Sequence, residues 1–340
     1  MTQVAADSPP LLEGLAEAAL LVAGNQVVAA NAAARALLGD ALEGAPVERV
    51  VSHPAALEAL QRPGRDTVEG VELTGLGTSR RHWLMRTAEL ADGTVLVRFV
   101  DRSEARAAEQ MRVDFVANAS HELRTPLSTL IGYTETLREQ ADEIDPATRE
   151  RFLAVVHDEA RRMQRVVEDL ISLSRIEAEK FSTPTEAVAL DPLIEQTIDS
   201  ARRMADERGS DLVVDVAANL PQIAADTGQL LQLLDNLIMN ALRYGEPGTP
   251  VTVTAVREGP MVHLSVADQG EGIAPEHVAR VTERFYRVDT SRSRSLGGTG
   301  LGLAIVKHIV ERHRGRLSID SELAKGTTVH VLLPVARAAS

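Results

Sequence analysis

Apolar positions change rhythm twice along the chain, and each change marks a different kind of packing. Over residues 11 to 100 they come in short runs between turn residues, as in LLVAGNQVVAANAAARALLG and later WLMRTAELADGTVLVRFVD. This pattern predicts strands from Val22 to Gly24 and from Val27 to Ala30 about Asn25, and a hairpin turning at Asp92-Gly93. From Arg102 the apolar or small positions recur every three or four residues, at Leu123, Leu127, Leu130, Thr134 and Leu137. Beyond Asp145-Pro146 they recur at Phe152, Val156, Ala160, Met163, Val167 and Leu170. That is the period of two amphipathic helices joined as a hairpin. A lone hairpin leaves much of its stripe in water, which predicts a homodimer built on a four-helix bundle. After Thr183-Pro184-Thr185, helical stretches such as GQLLQLLDNLIMNALRYG mix with MVHLSVA, where Val262, Leu264 and Val266 alternate with His263 and Ser265. Period two belongs to a half-buried strand, so the last region reads as a further α/β domain.

The expected fold class is therefore multidomain α+β. A small α/β domain covers 1–100, a long two-helix hairpin 101–182 and an α/β sandwich 183–340. The length of 340 residues agrees, since domains run about 100 to 200 residues. With 44% apolar and 25% charged residues the chain builds cores. Its 36 basic against 49 acidic residues give a net charge of −13, which repels nucleic acid and anionic membranes, so any phosphate site has to be built locally. The absence of cysteine excludes disulfides, iron–sulfur clusters and thiol nucleophiles. No apolar run reaches the roughly 18 to 20 residues of a membrane span, and the start MTQVAADSPP lacks the layout of a secretory signal. A cytoplasmic protein, or the cytoplasmic part of an inner-membrane sensor, is expected.

Candidate chemistry gathers in a few strings. In FVANASHELRTPLSTL, His121 lies roughly 200° around the helix from Leu123 and so faces solvent, as a reacting imidazole requires. Glu122 can orient that ring or take its proton, and Thr125 shares its face. Pro126 removes one N–H from the helix ladder and favours a bend there. Asn236 and Asn240, four apart, can turn amide oxygens to a hydrated metal and amide nitrogens to phosphates. Asp268 closes a strand, where a carboxylate can accept from an exocyclic amine, and Gly270 and Gly272 permit close backbone approach. Phe285 and Tyr286 read as core and rim aromatics. SRSRSLGGTGLGLAIVKHIV lacks the preceding strand of a dinucleotide fingerprint and the GxxxxGK[ST] of a P-loop. What remains is a lid whose glycines Gly298, Gly300 and Gly302 and helix N-terminus can hold a triphosphate, with Arg292 and Arg294 supplying positive charge.

SHELRTPL, with DLISLSRIEAEK closing the second helix, resembles the phospho-acceptor region of sensor histidine kinases, and the later strings resemble that family's nucleotide boxes in order. The first hundred residues, ending in VDRSEAR, resemble a PAS sensor domain. The resemblance, closest to the phosphate-regulon type, implies a Bergerat-type sandwich binding ATP and Mg2+, phosphorylation of His121 and relay to an aspartate on the receiver domain of a response regulator. It makes Glu122 the base and gives Thr125 a water-positioning role in dephosphorylating that regulator. It makes Asn240 the magnesium ligand, with Asn236, Arg243 and Tyr244 lining the site and Arg243 standing where many members carry lysine. It makes Asp268 the adenine reader, places Phe285 in a lid-hinge box, and assigns the lid to Gly298, Thr299, Gly300, Leu301 and Gly302, with Thr327 in the last box. A non-catalytic scaffold or phosphatase-only module is the alternative, and intact His121, Asn240 and Asp268 argue against it. An ATP-driven clamp of the gyrase and chaperone type has no use for SHELRTPL. In the front domain His53 and His82 lie in settings unlike a haem pocket, so that domain is expected to act without metal or haem.

Overall fold

The computed structural model describes residues 11–61, 70–76, 81–140, 143–179, 182–288 and 298–336. It divides into two compact units, Met1–Asp114 and Phe115–Ser340.

In the first unit β1 (Ala18–Ala23), β2 (Gln26–Ala30), β3 (Val71–Thr74), β4 (His82–Glu89) and β5 (Val95–Asp101) form an antiparallel sheet in the order β2-β1-β5-β4-β3. Helices α1 (Ala32–Leu38), α2 (Val47–Val50) and α3 (Pro54–Gln61) complete it, and Leu20, Val22, Val27, Met85, Val97 and Phe99 pack with Ala34, Val47 and Ala56. The first strand starts at Ala18, four residues before the predicted Val22. It lies between β2 and β5, and its other face packs Ala19 and Leu21 on Leu12, so it reads as a continuous apolar run without alternation. Asn31, 1% exposed, accepts from the N–H groups of Ala34 (2.9 Å) and Ala19 (3.0 Å), capping α1 and tying it to β1. The hairpin at Asp92-Gly93 forms as expected, with Gly93 at φ 80° and the N–H of Thr94 donating to Asp92 Oδ1 at 3.0 Å.

The second unit contains the helical hairpin. The first helix, α4 (Ser103–Glu139), begins ahead of it and runs through Pro126 and Gly132 without interruption. The second, α5 (Pro146–Ala178), is capped by Asp145, whose carboxylate accepts from Thr148 N–H at 3.0 Å, with proline at its first position. In the single chain Val116, Leu127, Ile131, Leu153, Val167 and Ile171 remain 41% to 59% exposed.

After β6 (Ala187–Val188) come α6 (Asp191–Arg208), β7 (Leu212–Val216), β8 (Ile223–Ala224), α7 (Thr227–Tyr244), β9 (Val251–Glu258), β10 (Met261–Ala267), α8 (Pro275–Val278), α9 (Gly302–Arg312), β11 (Arg316–Glu322) and β12 (Gly326–Pro334). The main sheet has the order β11-β12-β10-β9-β7, antiparallel except for β7 beside β9. The alternation in MVHLSVA holds for its apolar positions, since Val262, Leu264 and Val266 are at most 2% exposed and share a core with Leu233, Leu237, Ile238, Ile305 and Ile309, but Ser265 is buried as well, bonded to Thr254. Each such side chain contributes roughly 1.5 to 3 kcal/mol through burial. Leu173 and Ile176 of α5 enter the same core, so the hairpin's second helix is part of that domain's packing.

Candidate functional site

Helix α7 buries Leu230, Leu233, Leu234, Leu237, Ile238 and Ala241, which turns its opposite side to a cavity of about 420 Å3. Asn236, Asn240, Arg243 and Tyr244 line that cavity. The amide nitrogen of Asn236 donates to the carbonyl of Gln232 at 2.9 Å, which fixes its rotamer. Gly302 lies close opposite: a Cβ there would stand 2.6 Å from Asn236 Oδ1 and would push that amide aside. Burial lowers the pKa of Arg243 from its ordinary value, and burial raises that of Asp235 on the same helix, in spite of Arg243.

The end of β10 delivers Asp268 to the same cavity, as Ala267 pairs with Thr328 and the Asp268 N–H donates to Thr327 O at 2.9 Å. Its Oδ1 accepts from the N–H of Gly270 at 2.8 Å and of Thr327 at 3.3 Å. Burial nevertheless pushes this carboxyl above the usual range, the two N–H groups opposing it. A Cβ at Gly270 would overlap the carbonyl oxygen of Tyr244, so the loop after Asp268 can lie this close to α7 only with glycine. Gly272 and Thr327 line the cavity as well.

Gly298, Thr299, Gly300 and Gly302 approach it from the loop before α9. The side chains of two residues assigned to the site do not line this cavity. The side chain of Leu301 is fully buried in the core, where it anchors the start of α9. The side chain of Phe285 packs on Phe115 of α4 with ring centroids 5.9 Å apart, and its backbone sits at φ 63°, uncommon for a bulky residue. The Phe285 N–H donates to Gly300 O at 2.7 Å, tying this residue to the loop before α9. Arg292 and Arg294 lie outside the described residues.

His121 is exposed on α4, on the side expected. It does not line the cavity; it faces a second pocket with Asn118, Glu122, Arg280, Glu283, Arg284 and Tyr286. The Thr125 hydroxyl donates to His121 O at 3.3 Å, one turn back along the helix. Glu122 Oε2 accepts from Arg162 Nη2 of α5 at 3.2 Å and from Arg287 Nη2 at 2.8 Å. Both guanidinium groups are nearly inaccessible, at 8% and 3% exposure.

Sequence reasoning missed Arg162 and Arg287, and also Arg165, Glu168 and Asp169 of α5, which form one wall of the large cavity. Helix periodicity separates an apolar face from a polar one but does not say which polar residues meet another domain. Among the described residues no three His, Asp or Glu side chains converge on a metal seat. Asn240 lines the cavity with a neutral amide oxygen, a donor that a hydrated Mg2+ can accept beside phosphate oxygens and water.

Comparison with known proteins follows the same division. Residues 111–179 match the His Kinase A (phospho-acceptor) domain, and residues 225–337 the histidine kinase-, DNA gyrase B- and HSP90-like ATPase family. The chain is 36% identical over 301 residues to the phosphate regulon sensor protein PhoR of Pseudomonas aeruginosa, covering 88% of this chain and 67% of that protein. It is 40% identical over 242 residues to the sensor protein SrrB of Staphylococcus aureus, covering 71% of this chain but only 41% of SrrB. Among solved structures, full-length ShkA in complex with AMPPNP matches with a TM-score of 0.50 and 31% identity, over 67% of this chain and 47% of that one. The histidine kinase ThkA, solved in complex with the response regulator protein TrrA, matches 96% of this chain and 98% of its own with a TM-score of 0.54 at 18% identity, a likeness of fold.

Proposed function

Because the chain belongs to the sensor histidine kinases of two-component systems, of the phosphate-regulon type, we propose that it phosphorylates His121 from ATP and passes the phosphoryl group to an aspartate of a response regulator. One observation carries this reading: the polar residues of α7, Asp268 and the glycine loop open on one cavity, while His121 stands exposed on a helix of the same compact unit. In that cavity Asp268 reads the adenine amine, its raised pKa offset by accepting that hydrogen bond. Arg243 and the amides opening α9 meet the phosphates. Asn240 would hold Mg2+, which when bound would supply positive charge against the phosphate oxygens.

At the acceptor, Glu122 takes the imidazole proton while the His121 nitrogen attacks phosphorus and the bond to the departing diphosphate breaks. Both guanidinium groups bond Glu122 at Oε2, which leaves Oε1 to accept the proton. Thr125, one turn from His121, positions water when the phosphorylated regulator is hydrolysed. The apolar side chains left exposed along α4 and α5 are closed by a second copy, as a four-helix bundle needs. We read residues 1–100 as a PAS-like sensor, 101–182 as the phosphotransfer hairpin and 183–340 as the ATP-binding domain. No helix among the described residues is long and apolar enough to cross a membrane.

Incubation with γ-labelled ATP tests the proposal. Intact protein takes up acid-labile label and the His121→Ala variant takes up none, while both bind ATP alike. Label retained by the variant on another residue would refute the assignment.

A further inference from the structure

Helix α5 turns Arg165, Asp169 and Ser172, at positions i, i+4 and i+7, toward the ATP-binding domain. Asp169 Oδ2 accepts from the Thr299 hydroxyl at 2.8 Å, and the Thr299 oxygen in turn accepts from the Leu301 N–H at 3.2 Å. One turn further along, the Ser172 hydroxyl donates to Gln232 Oε1 of α7 at 2.6 Å. Gly302 opens α9 after the N-cap Leu301, which has no capping side chain, so the amides that follow Leu301 leave partial positive charge at this end of the cavity. A carboxylate from the hairpin is thus bound at the end of the cavity best suited to an anion. Glu168 lines the cavity beside it; burial raises the pKa of Asp169, while the Thr299 hydroxyl, Arg243 and Arg165 oppose that rise.

We infer that Asp169 is an internal latch on the nucleotide site: its carboxylate holds Thr299 in place of a phosphate oxygen, and it must withdraw before a triphosphate is seated. The inference rests on the reading of this cavity as the ATP site. A triphosphate entering against Asp169 would meet a like charge and a hydroxyl already committed. Nucleotide binding and release of Thr299 by Asp169 are therefore one coupled event, and whatever shifts the Asp169 turn of α5 alters affinity for ATP.

Equilibrium binding of the β,γ-imido analogue of ATP with Mg2+, to the full chain, tests this. Asp169→Ala should tighten binding on the order of tenfold. Asp169→Asn should tighten it less, because an amide oxygen still accepts from Thr299, and Asp169→Glu should leave it weak. Asp158→Asn, an exposed position on the same helix, controls for the chain's overall negative charge and should change nothing. Unchanged or weaker binding by both the alanine and asparagine variants, with melting temperatures near that of the parent, would overturn the latch, as would an equal gain from Asp158→Asn. Absence of binding by every form, the parent included, would overturn the ATP reading itself and the latch with it.

Discussion

The backbone N–H of Asp226 donates to Nε2 of His313 at 3.0 Å, joining the start of α7 to the end of α9 across 87 residues. The other ring nitrogen bonds the carbonyl of Ile309 at 2.7 Å, so the buried imidazole is the neutral tautomer with its proton on Nδ1. Burial holds its pKa below 6.5, against the opposing bond to Ile309. A depressed histidine binds fewer protons folded than unfolded. Its stabilisation is complete above the unfolded value and is lost as pH falls through about 6.5 toward the folded value.

Denaturant unfolding at pH 7.5 and 5.5 should therefore show lower stability at the acid pH, and His313→Asn should reduce the difference. The carboxyls of Asp169, Asp235 and Asp268, raised by burial, act with the opposite sign, losing stability as pH rises through their folded values. The comparison of variant with parent isolates the histidine. An equal pH response in both would show that the imidazole is not the group titrating.

Asp268→Asn should weaken ATP binding by one to two decades, since a hydrogen bond to a charged group is worth about 1.5 to 3 kcal/mol. The preference for ATP over GTP should fall with it. The fold should hold, because an asparagine oxygen can still accept from the Gly270 and Thr327 amides. Titration with ATP and GTP checks this, and an unaltered preference would remove the adenine role.

Most of the nucleotide cavity was legible in the sequence because its residues sit in short strings whose local geometry is fixed. Asn236 and Asn240 share a helix face, and Asp268 ends an alternating strand. The rest was not, for reasons that differ by residue. Leu301 sits among the lid glycines but points into the core, since the residue opening α9 has to anchor it. Phe285 reads as a hinge aromatic, yet its ring packs on Phe115, 170 positions earlier in the chain. Arg162, Arg287 and Asp169 act through partners 40 to 165 residues away, and no local period encodes such pairs.

Thr125→Ala should lower phosphatase activity toward the phosphorylated regulator more than it lowers self-labelling. The side chain is exposed and its hydroxyl donates to the carbonyl of His121 at 3.3 Å, a bond within the helix that its backbone ladder does not need, so the helix survives its loss. Parallel assays of dephosphorylation and autophosphorylation decide the matter. Equal losses would point to damage to the helix rather than to a missing water ligand.

Glu122→Gln should lower self-labelling by about two decades, the lower end of what a positioned general base contributes, and leave ATP affinity unchanged. Glutamine is nearly isosteric and keeps an oxygen for Arg162 Nη2 and Arg287 Nη2, but it cannot take the imidazole proton. It also leaves two buried guanidinium groups facing a neutral amide, so a fall in melting temperature is expected alongside the kinetic loss. Arg162→Met separates the two effects: it disturbs the same ion pair from the far side while leaving the carboxylate in place. If Arg162→Met slowed self-labelling as much as Glu122→Gln at matched ATP saturation, the base role of Glu122 would give way to a purely structural one.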